Sequence, residues 1–581
     1  MEVEHLLDEF PEVSTKAWED VILHDLKGAD YAKKLIWHTP EGIAVKPYYR
    51  AEDIASLNVD QAPGSFPYLR GTHANGDWRI REEIDAENPE EANHEAQNAL
   101  AAGAEEICFL NAVVRSASDL GVLLANLQTT PLHFENGDDV LIGLLCERLK
   151  SRADSPRLST GLNPLTSPDF AASIVRCAPL ALVPFTVHGP HLEEAGANAV
   201  QEIAFTLAAG IEYLADMDAR GIDIDRAAAS IGFSFTVGAS YFFQIAKFRA
   251  FRILWAKAVE SFGGSREAAR TTIHARTSLW NKTIYDPHVN VLRTTTEAMS
   301  AVLGGVDSVC VAAFDECYKA PDDGSRRLAR NMQLMLKHEA LLAQVADPGA
   351  GSYFLEAITD SIAREAWKTM QHIDRVGGYR KARAAGELDA ALEVQANARE
   401  TAVATRRRVF TGTNQYANAD EKALGRIDES RSTVGKRGAA AYEKLRLRTE
   451  RHAAATGRTP RVLLAVFGDV KMRAARSTFV SNFFACAGFE IATKQLDGVD
   501  GIAADGADLV VLCSSDAEYL DMADALVSAF NAIGRETPVL VAGNPESAEH
   551  LRAAGVADFI HIRSIPIEVL TNWQQRLGMK V

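Results

Sequence analysis

"AAASIGFSFTVGASYFFQIAKFRAFRILWAKAVESFG", residues 227–263, runs from an aromatic, β-branched stretch through a Gly-Ala-Ser turn into a long helical stretch. That is one strand–helix unit. Outward from it, between roughly Glu105 and Glu356, the same pattern recurs. Strand-like runs are "EEICFLNAV" (105–113), "LALVPFTV" (180–187), "RTTIHART" (270–277), "DSVCVAAF" (307–314) and "GSYFL" (351–355), with helical "ANAVQEIAFTLAAGIEYLADMDARG" (197–221) among them. Such alternation favours parallel strands with helical crossovers, and the number of units fits a TIM-type (β/α)8 barrel.

Near the C-terminus, "RVLLAVFGDV" (461–470), "ADLVVLCSS" (507–515), "PVLVAGN" (538–544) and "ADFIHIR" (557–563) read as four strands. The helical patterns "AARSTFVSNFFACAGF" (474–489), "YLDMADALVSAFNAIG" (519–534) and "SAEHLRAAG" (547–555) separate them, which predicts a flavodoxin-like, doubly wound domain. Residues 417–460 are polar and charged and end in Gly, Thr and Pro, a linker with some helix. At the other end "VSTKAWEDVILHDLKGADY" (13–31) predicts an amphipathic helix with Ser14 as N-cap, Trp18, Val21, Ile22 and Leu26 on one face, and Gly28 near its end. The expected division is an arm over 1–60, a barrel over 61–410, a linker over 411–460 and a C-terminal α/β domain over 461–581.

A net charge of −17, with "TRRRVF" (405–410) the densest basic cluster, disfavours nucleic acid and anionic membranes as partners. The seven cysteines (Cys108, Cys146, Cys177, Cys310, Cys317, Cys486, Cys513) are scattered, with no CxxC pair and no His/Cys cluster at metal spacing. Buried thiols in a reduced compartment are expected, and no metal ligands. "MEVEHLLDEF" (1–10) is acidic, and the longest apolar run, "APLALVPFTV" (178–187), is short and broken by proline. A cytoplasmic chain with no membrane span is expected.

Local motifs are few, with no Walker loop, GxGxxG, HExxH or GxSxG. "HGPHLEEAGA" (188–197) puts His191 at the carboxyl end of a strand, either as a catalytic group or as a histidine that caps the next helix or fills the barrel mouth. "FDECYKAPDDGSRR" (314–327) offers Asp315 and Glu316 for acid–base work, or for loop solvation and pairing with Arg326 or Arg327. "RTTIHARTSLWNKTIYDPHVN" (270–290) gathers His274, Arg276, Trp280 and Tyr285, which could clamp an anion and stack a ring or equally form a subunit contact.

Seven segments together carry a resemblance: "PGSFPYLRG" (63–71), "HLEEAGANAVQEIAFTLAAGIEYL" (191–214), "IAKFRAFRILWA" (245–256), "DPHVNVLRTTTEAMSAVLGG" (286–305), "FDE" (314–316), "LARNMQLML" (328–336) and "DPGAGSY" (347–353). Collinear over nearly the whole chain, they resemble methylmalonyl-CoA mutase. The resemblance implies an arm that wraps a partner subunit, a (β/α)8 barrel threaded by the CoA tail, and a flavodoxin-like cobalamin domain that closes over the barrel mouth. The implied reaction interconverts (R)-methylmalonyl-CoA and succinyl-CoA by a radical rearrangement, with adenosylcobalamin doing the radical work.

The family's cobalamin domain carries Asp-x-His-x-x-Gly in its first turn, whose His ligates cobalt. Here the matching positions are Asp469, Lys471 and Ala474, so only the Asp remains. Protonated Lys has no lone pair to offer, and Ala474 adds a methyl where the corrin comes closest. Along the family's nucleotide tail this chain keeps Ser514, Ser515 and Gly543 but has Asn544 for the second Gly. In the barrel "THANGDWRIREE" (72–83) stands where the family inserts a Tyr, and Pro190 replaces the Tyr before His191, the match to the His that bonds the thioester oxygen. Arg276 stands for Gln, Leu279 for Gly, Tyr285 for Gln and Val289 for Asn, while the region 134–170, where the family supplies an Arg for the substrate carboxylate, does not align.

The expectation is therefore the small, non-catalytic subunit of a heterodimeric mutase, with a degenerate C-terminal domain, His191 a vestige of catalysis, and adenosylcobalamin held by the large catalytic subunit. A G-protein chaperone that loads cobalamin is a further implied partner. The alternatives are a divergent catalytic acyl-CoA mutase, or a module that binds a CoA ester or docks the chaperone.

Overall fold

The structure, a computed structural model, describes residues 13–150, 157–163, 165, 173, 177, 180, 182–428, 437–496, 506–519, 525, 528 and 537–580. The segment 1–10, most of the pattern 519–534, and parts of 134–170 and of the run 178–187 lie outside the described residues.

A two-stranded antiparallel pair, β1 (Trp37–His38) and β2 (Ala44–Val45), precedes the barrel. The barrel strands are β3 (Arg79–Asp85), β4 (Glu106–Leu110), β5 (Leu132–Phe134), β6 (Leu158–Leu162), β7 (Leu182–His188), β8 (Ile231–Val237), β9 (Ile273–Thr277) and β10 (Ser308–Cys310). All pair in parallel, and β10 closes the ring by pairing with both β9 and β3. The first barrel strand thus begins at Arg79, ahead of the alternation read from Glu105 but within the span 61–410 expected for the barrel, and "THANGDWRIREE" supplies it. "GSYFL" is not a strand: Ser352 accepts a hydrogen bond from Leu355 N at 3.4 Å and caps the helix Tyr353–Arg375. The helical spacing of Leu355, Ile358, Ile362, Ala366, Met370 and Ile373, all buried, overrides the strand-like look of its first turn.

Strand β8 shows how the barrel is built. Ile231, Phe233, Phe235 and Val237 belong to the main apolar core, where Phe233 meets Phe251 and Trp255 of the helix Tyr241–Ser261 edge-to-face, both at 4.7 Å. The alternate residues Gly232 and Ser234 line a cavity inside the barrel with Arg81, His133, Ser159 and His274. TIM barrels are usually filled by branched aliphatic side chains. Here the strands are apolar on the outer face and polar toward the axis.

The C-terminal domain is a five-stranded parallel sheet in the order β12-β11-β13-β14-β15, the flavodoxin-like arrangement. Its strands are β11 (Arg461–Val466), β12 (Glu490–Gln495), β13 (Leu509–Cys513), β14 (Val539–Ala542) and β15 (Asp558–Ile560). The strand beyond the expected four is β12, an edge strand without a fully buried residue. Within the span read as a linker, the helix Ala440–Thr456 buries Tyr442, Leu445 and Leu447. Tyr442 and Leu445 join Leu570 and Trp573 in the core of the C-terminal domain.

Opposite them, Glu443 accepts from Ile284 N at 2.9 Å, Glu450 accepts from the Tyr285 hydroxyl at 2.7 Å, and the Arg446 guanidinium lies 3.7 Å over the Tyr285 ring. The helix therefore ties the loop after β9 to the C-terminal domain through its buried charges Glu443, Arg446 and Glu450. The N-terminal helix Thr15–Asp25 is capped by Ser14 and buries none of its residues. Among the described residues no helix is long and apolar enough to cross a membrane. All seven cysteines are buried.

Candidate functional site

In the open α/β sheet a ligand crevice lies beyond the carboxyl ends of the strands, at the switch point of the topology. Here that is the turn after β11, flanked by the ends of β13 and β14. Asp469 is the N-cap of the helix Val470–Ala485, accepting from Met472 N at 2.8 Å. Lys471 and Ala474 stand on the exposed side of that helix.

The crevice beside them is filled by the chain's own side chains. Glu518 accepts from Asp469 N at 3.0 Å, from the Ser514 hydroxyl at 2.5 Å and from the Ser515 hydroxyl at 2.6 Å. These donors, led by Ser514, hold its carboxyl down at about 2. Buried Tyr519 donates to Ala542 O at 2.6 Å and accepts from Ser514 N at 2.9 Å, plugging the gap between β13 and β14.

Arg476, from the helix Val470–Ala485, reaches over the sheet to donate to Ala542 O and pairs with Asp516 at 2.9 Å. Its guanidinium occupies the space where a Cβ at Gly543 would stand, and Gly543 itself has φ +145°, so only glycine fits there. Asn544 is exposed.

At the barrel mouth His191 is exposed in the short helix Pro190–Glu194, its ring 6.0 Å from that of His188. It borders a cleft of about 900 Å³ between the barrel mouth and the helix Ala440–Thr456, with Trp280, Arg399 and Lys444 also on the wall. Trp280 is held between the guanidinium groups of Arg399 and Arg408, at 4.0 and 4.5 Å, and packs on Phe410. Arg276 pairs with Glu83 at 2.9 Å and Glu316 at 2.6 Å, which raise its pKa well above the ordinary value against the opposing pull of burial. Of the four residues grouped by sequence in 270–290, none forms an anion clamp: Arg276 is neutralised, Tyr285 and Trp280 serve contacts within the chain, and His274 bonds Ser308 at 2.9 Å. Asp315 pairs with Lys319 at 3.1 Å rather than with Arg326 or Arg327.

Deeper in the barrel Glu106 pairs with Arg81 and, at 2.6 Å, with Arg79. Burial alone would raise its carboxyl; the two guanidinium groups bring it down to about 2. One layer nearer the mouth, Cys108 of β4 is in register with His133 of β5. His133 faces Glu135 at 3.1 Å, and His188 faces the other oxygen of that carboxylate at 3.4 Å. The cavity below this layer holds about 40 Å³, room for water and not for a pantetheine chain. The sequence did not single out Cys108, His133, Glu135 or His188. They come from separate strands, and only the two-residue spacing of His133 and Glu135 is local.

Comparisons with known proteins agree with this frame. The family profile described as methylmalonyl-CoA mutase matches residues 38–118 and 178–463. A protein of Porphyromonas gingivalis named methylmalonyl-CoA mutase small subunit is 38% identical, with all of both chains covered. One of the same name from Streptomyces virginiae is 30% identical over 99% of this chain and 98% of its own. The methylmalonyl-CoA mutase of Rhizobium meliloti is 31% identical over 71% of this chain and 65% of its own. Among solved structures, the dihydropteroate synthase of Yersinia pestis aligns over 45% of this chain and 93% of that one at 13% identity, with a TM-score of 0.26, too slight a likeness to bear on function.

Proposed function

The chain belongs to the methylmalonyl-CoA mutase family, and from that premise we propose that it is the small, non-catalytic subunit of a heterodimeric mutase. Its partner is a large subunit that holds adenosylcobalamin and interconverts (R)-methylmalonyl-CoA and succinyl-CoA in the cytoplasm. The relatives named small subunit, which match from end to end, support the assignment to that kind of chain.

The observation that carries the non-catalytic part is the occupied crevice. Adenosylcobalamin does not suit the residues present: the turn offers the Lys471 ammonium where a lone pair is needed, and Glu518, Tyr519 and Arg476 fill the path toward Ser514 and Gly543. Opening that path would leave a carboxylate and a guanidinium without their partners. The barrel points the same way. Arg276 pairs with Glu83, and Arg81 with Glu106 on the neighbouring strand, and a CoA tail would have to pass these pairs in a water-poor interior. His191, exposed and without a hydrogen-bond partner among the described residues, is then a remnant of a site whose other members have changed.

What remains for this chain is to present surface to the large subunit. The N-terminal helix supports this, because Trp18, Val21 and Leu23 are each about half exposed, at 50%, 61% and 51%.

The test is co-expression with a large chain that carries the intact Asp-x-His-x-x-Gly motif, followed by counting cobalamin in the purified heterodimer. One cobalamin per two chains is expected; two would overturn the reading.

A further inference from the structure

We propose that Cys108, His133 and Glu135 form a binding site for a zinc-type divalent cation inside the barrel, just below its mouth. Their ligand atoms all lie within 4.8 Å of one another. The inference stands whether or not the subunit reading holds, because it concerns side chains of this chain alone.

Three features build the site. Cys108 and His133 are in register on adjacent parallel strands, so both side chains project inward at one level, and neither can leave without moving a strand. His133 is oriented from behind by Ser159, 2.9 Å from Nδ1, which leaves Nε2 toward Glu135 at 3.1 Å. The third feature is a register shift in β6 between Ser159 and Leu162. There Gly161 lets the Glu135 backbone come so close that any side chain at 161 would overlap the Glu135 carbonyl oxygen. The same residue accepts from His188 Nε2 at 3.1 Å, which turns His188 Nδ1 to the second Glu135 oxygen at 3.4 Å. The backbone carbonyl thus fixes the His188 ring beside the carboxylate, as groups around a metal ligand commonly fix its surroundings.

The donor set selects the cation. Thiolate, imidazole and carboxylate together suit Zn²⁺ or Co²⁺ and not Mg²⁺ or Ca²⁺, which take oxygen ligands. Ligand atoms 2.0–2.3 Å from a tetrahedral Zn²⁺ stand roughly 3.3–3.8 Å apart. The His133–Glu135 distance of 3.1 Å is already close to that spacing, and the thiol needs to move in by no more than about 1 Å.

Charge also balances. On binding, the Cys108 thiol gives its proton to solvent, and thiolate plus carboxylate neutralise the dication. Arg81, the nearest fixed cation, is already paired with Glu106. Glu135 keeps about a third of its side chain exposed, at 36%, so a cation can enter from the mouth. Water takes the fourth position, as in open zinc sites.

The test uses the purified full chain, stripped with a chelator and titrated with Co²⁺, then Zn²⁺. One Co²⁺ per chain with a thiolate-to-cobalt charge-transfer band, displaced by one Zn²⁺, is expected. Cys108→Ser should abolish the band, and Glu135→Gln, at a partly exposed position, should weaken Co²⁺ binding by about 10-fold or more. Cys310→Ser, a barrel thiol outside the cluster, should change neither. Absence of stoichiometric uptake by the wild-type chain, or a band that survives Cys108→Ser, would overturn the proposal. Should Cys108→Ser fail to fold, Glu135→Gln decides: unchanged binding overturns the proposal and weakened binding upholds it.

Discussion

Arg476 lies across Gly543, its guanidinium standing where any side chain at 543 would have to go and donating to the carbonyl of Ala542. The two residues close the crevice together, one by supplying bulk and the other by having none. Their coupling is measurable. Gly543→Ala should destabilise by about 2–3 kcal/mol, from the clash and the positive φ. Arg476→Ala should cost about 1 kcal/mol, for a partly exposed pair and one carbonyl bond. In the double variant the clash is gone, so the sum should fall short of additive by about 1 kcal/mol or more, read from denaturant midpoints.

Restoring the motif letters alone should not restore the site. Lys471→His combined with Ala474→Gly recreates Asp-x-His-x-x-Gly on the exposed first turn of the helix Val470–Ala485. Glu518 and Arg476 stay where they are. The isolated double variant should take up no cobalamin by its visible spectrum, and a cobalt–histidine signature would show that the filled crevice is no obstacle.

Acid should find the barrel through Glu106. Against the opposing pull of burial, Arg81 and Arg79 hold its folded carboxyl down at about 2, below the ordinary glutamate range, so the folded pKa is depressed. The stability it contributes is complete above about pH 4.5 and is lost as pH falls toward about 2, on the order of 2–3 kcal/mol for this one group. Glu106→Gln should flatten that part of the pH–stability curve. At neutral pH it should destabilise by roughly 3 kcal/mol, since Arg81 is left buried without its counter-charge.

A second buried network fixes the segment before the barrel. Glu356 receives Arg249 at 2.9 Å and Gly351 N at 2.9 Å, and pairs with Arg70 at 2.5 Å. Glu356→Ala removes one of the two buried carboxylates that bridge Arg70 and Arg249, leaving Asp347 at 2.8 and 3.2 Å, and should cost roughly 3 kcal/mol, seen as a lower midpoint in urea.

The N-terminal helix should matter to assembly and not to folding. Trp18→Ala with Val21→Asp removes apolar surface that this chain leaves about half exposed, Trp18 resting on Tyr48 at 5.6 Å between ring centroids. The thermal midpoint of the isolated chain should move little, while affinity for the large subunit should fall by about 10-fold or more, read by titration calorimetry.

How much of this was legible in the sequence depended on which side of a strand a residue faces. Phe233, Phe235 and their outward neighbours announce β8, whereas β3 reads as "RIREEID" because Arg81 and Glu83 serve the axis and Glu82 pairs outward with Arg330. Strand β12 was hidden by being an edge. The helix Ala440–Thr456 looked solvated because nothing in "AAYEKLRLRTERHAAAT" says that Glu443, Arg446 and Glu450 meet partners some 160 residues away, such as Ile284 and Tyr285. The lost letters at 471 and 474 could be read directly. That Glu518 and Arg476 had moved into the space could not, since each is an ordinary surface residue until the sheet brings the strand ends together. The same holds for Cys108 and His133, which only the register of β4 and β5 makes neighbours.

The helix Ala440–Thr456 has one face in the C-terminal core and the other against the loop after β9, where Arg437 also donates to Lys282 O at 2.8 Å. Neither lobe can melt without stripping that helix of half its partners. The chain should therefore absorb heat in a single transition whose calorimetric and van't Hoff enthalpies agree, although its length would ordinarily give two. On the proposed reading, a chain built this way would hand its partner a frame of one piece, and its contribution to the assembly would be stiffness.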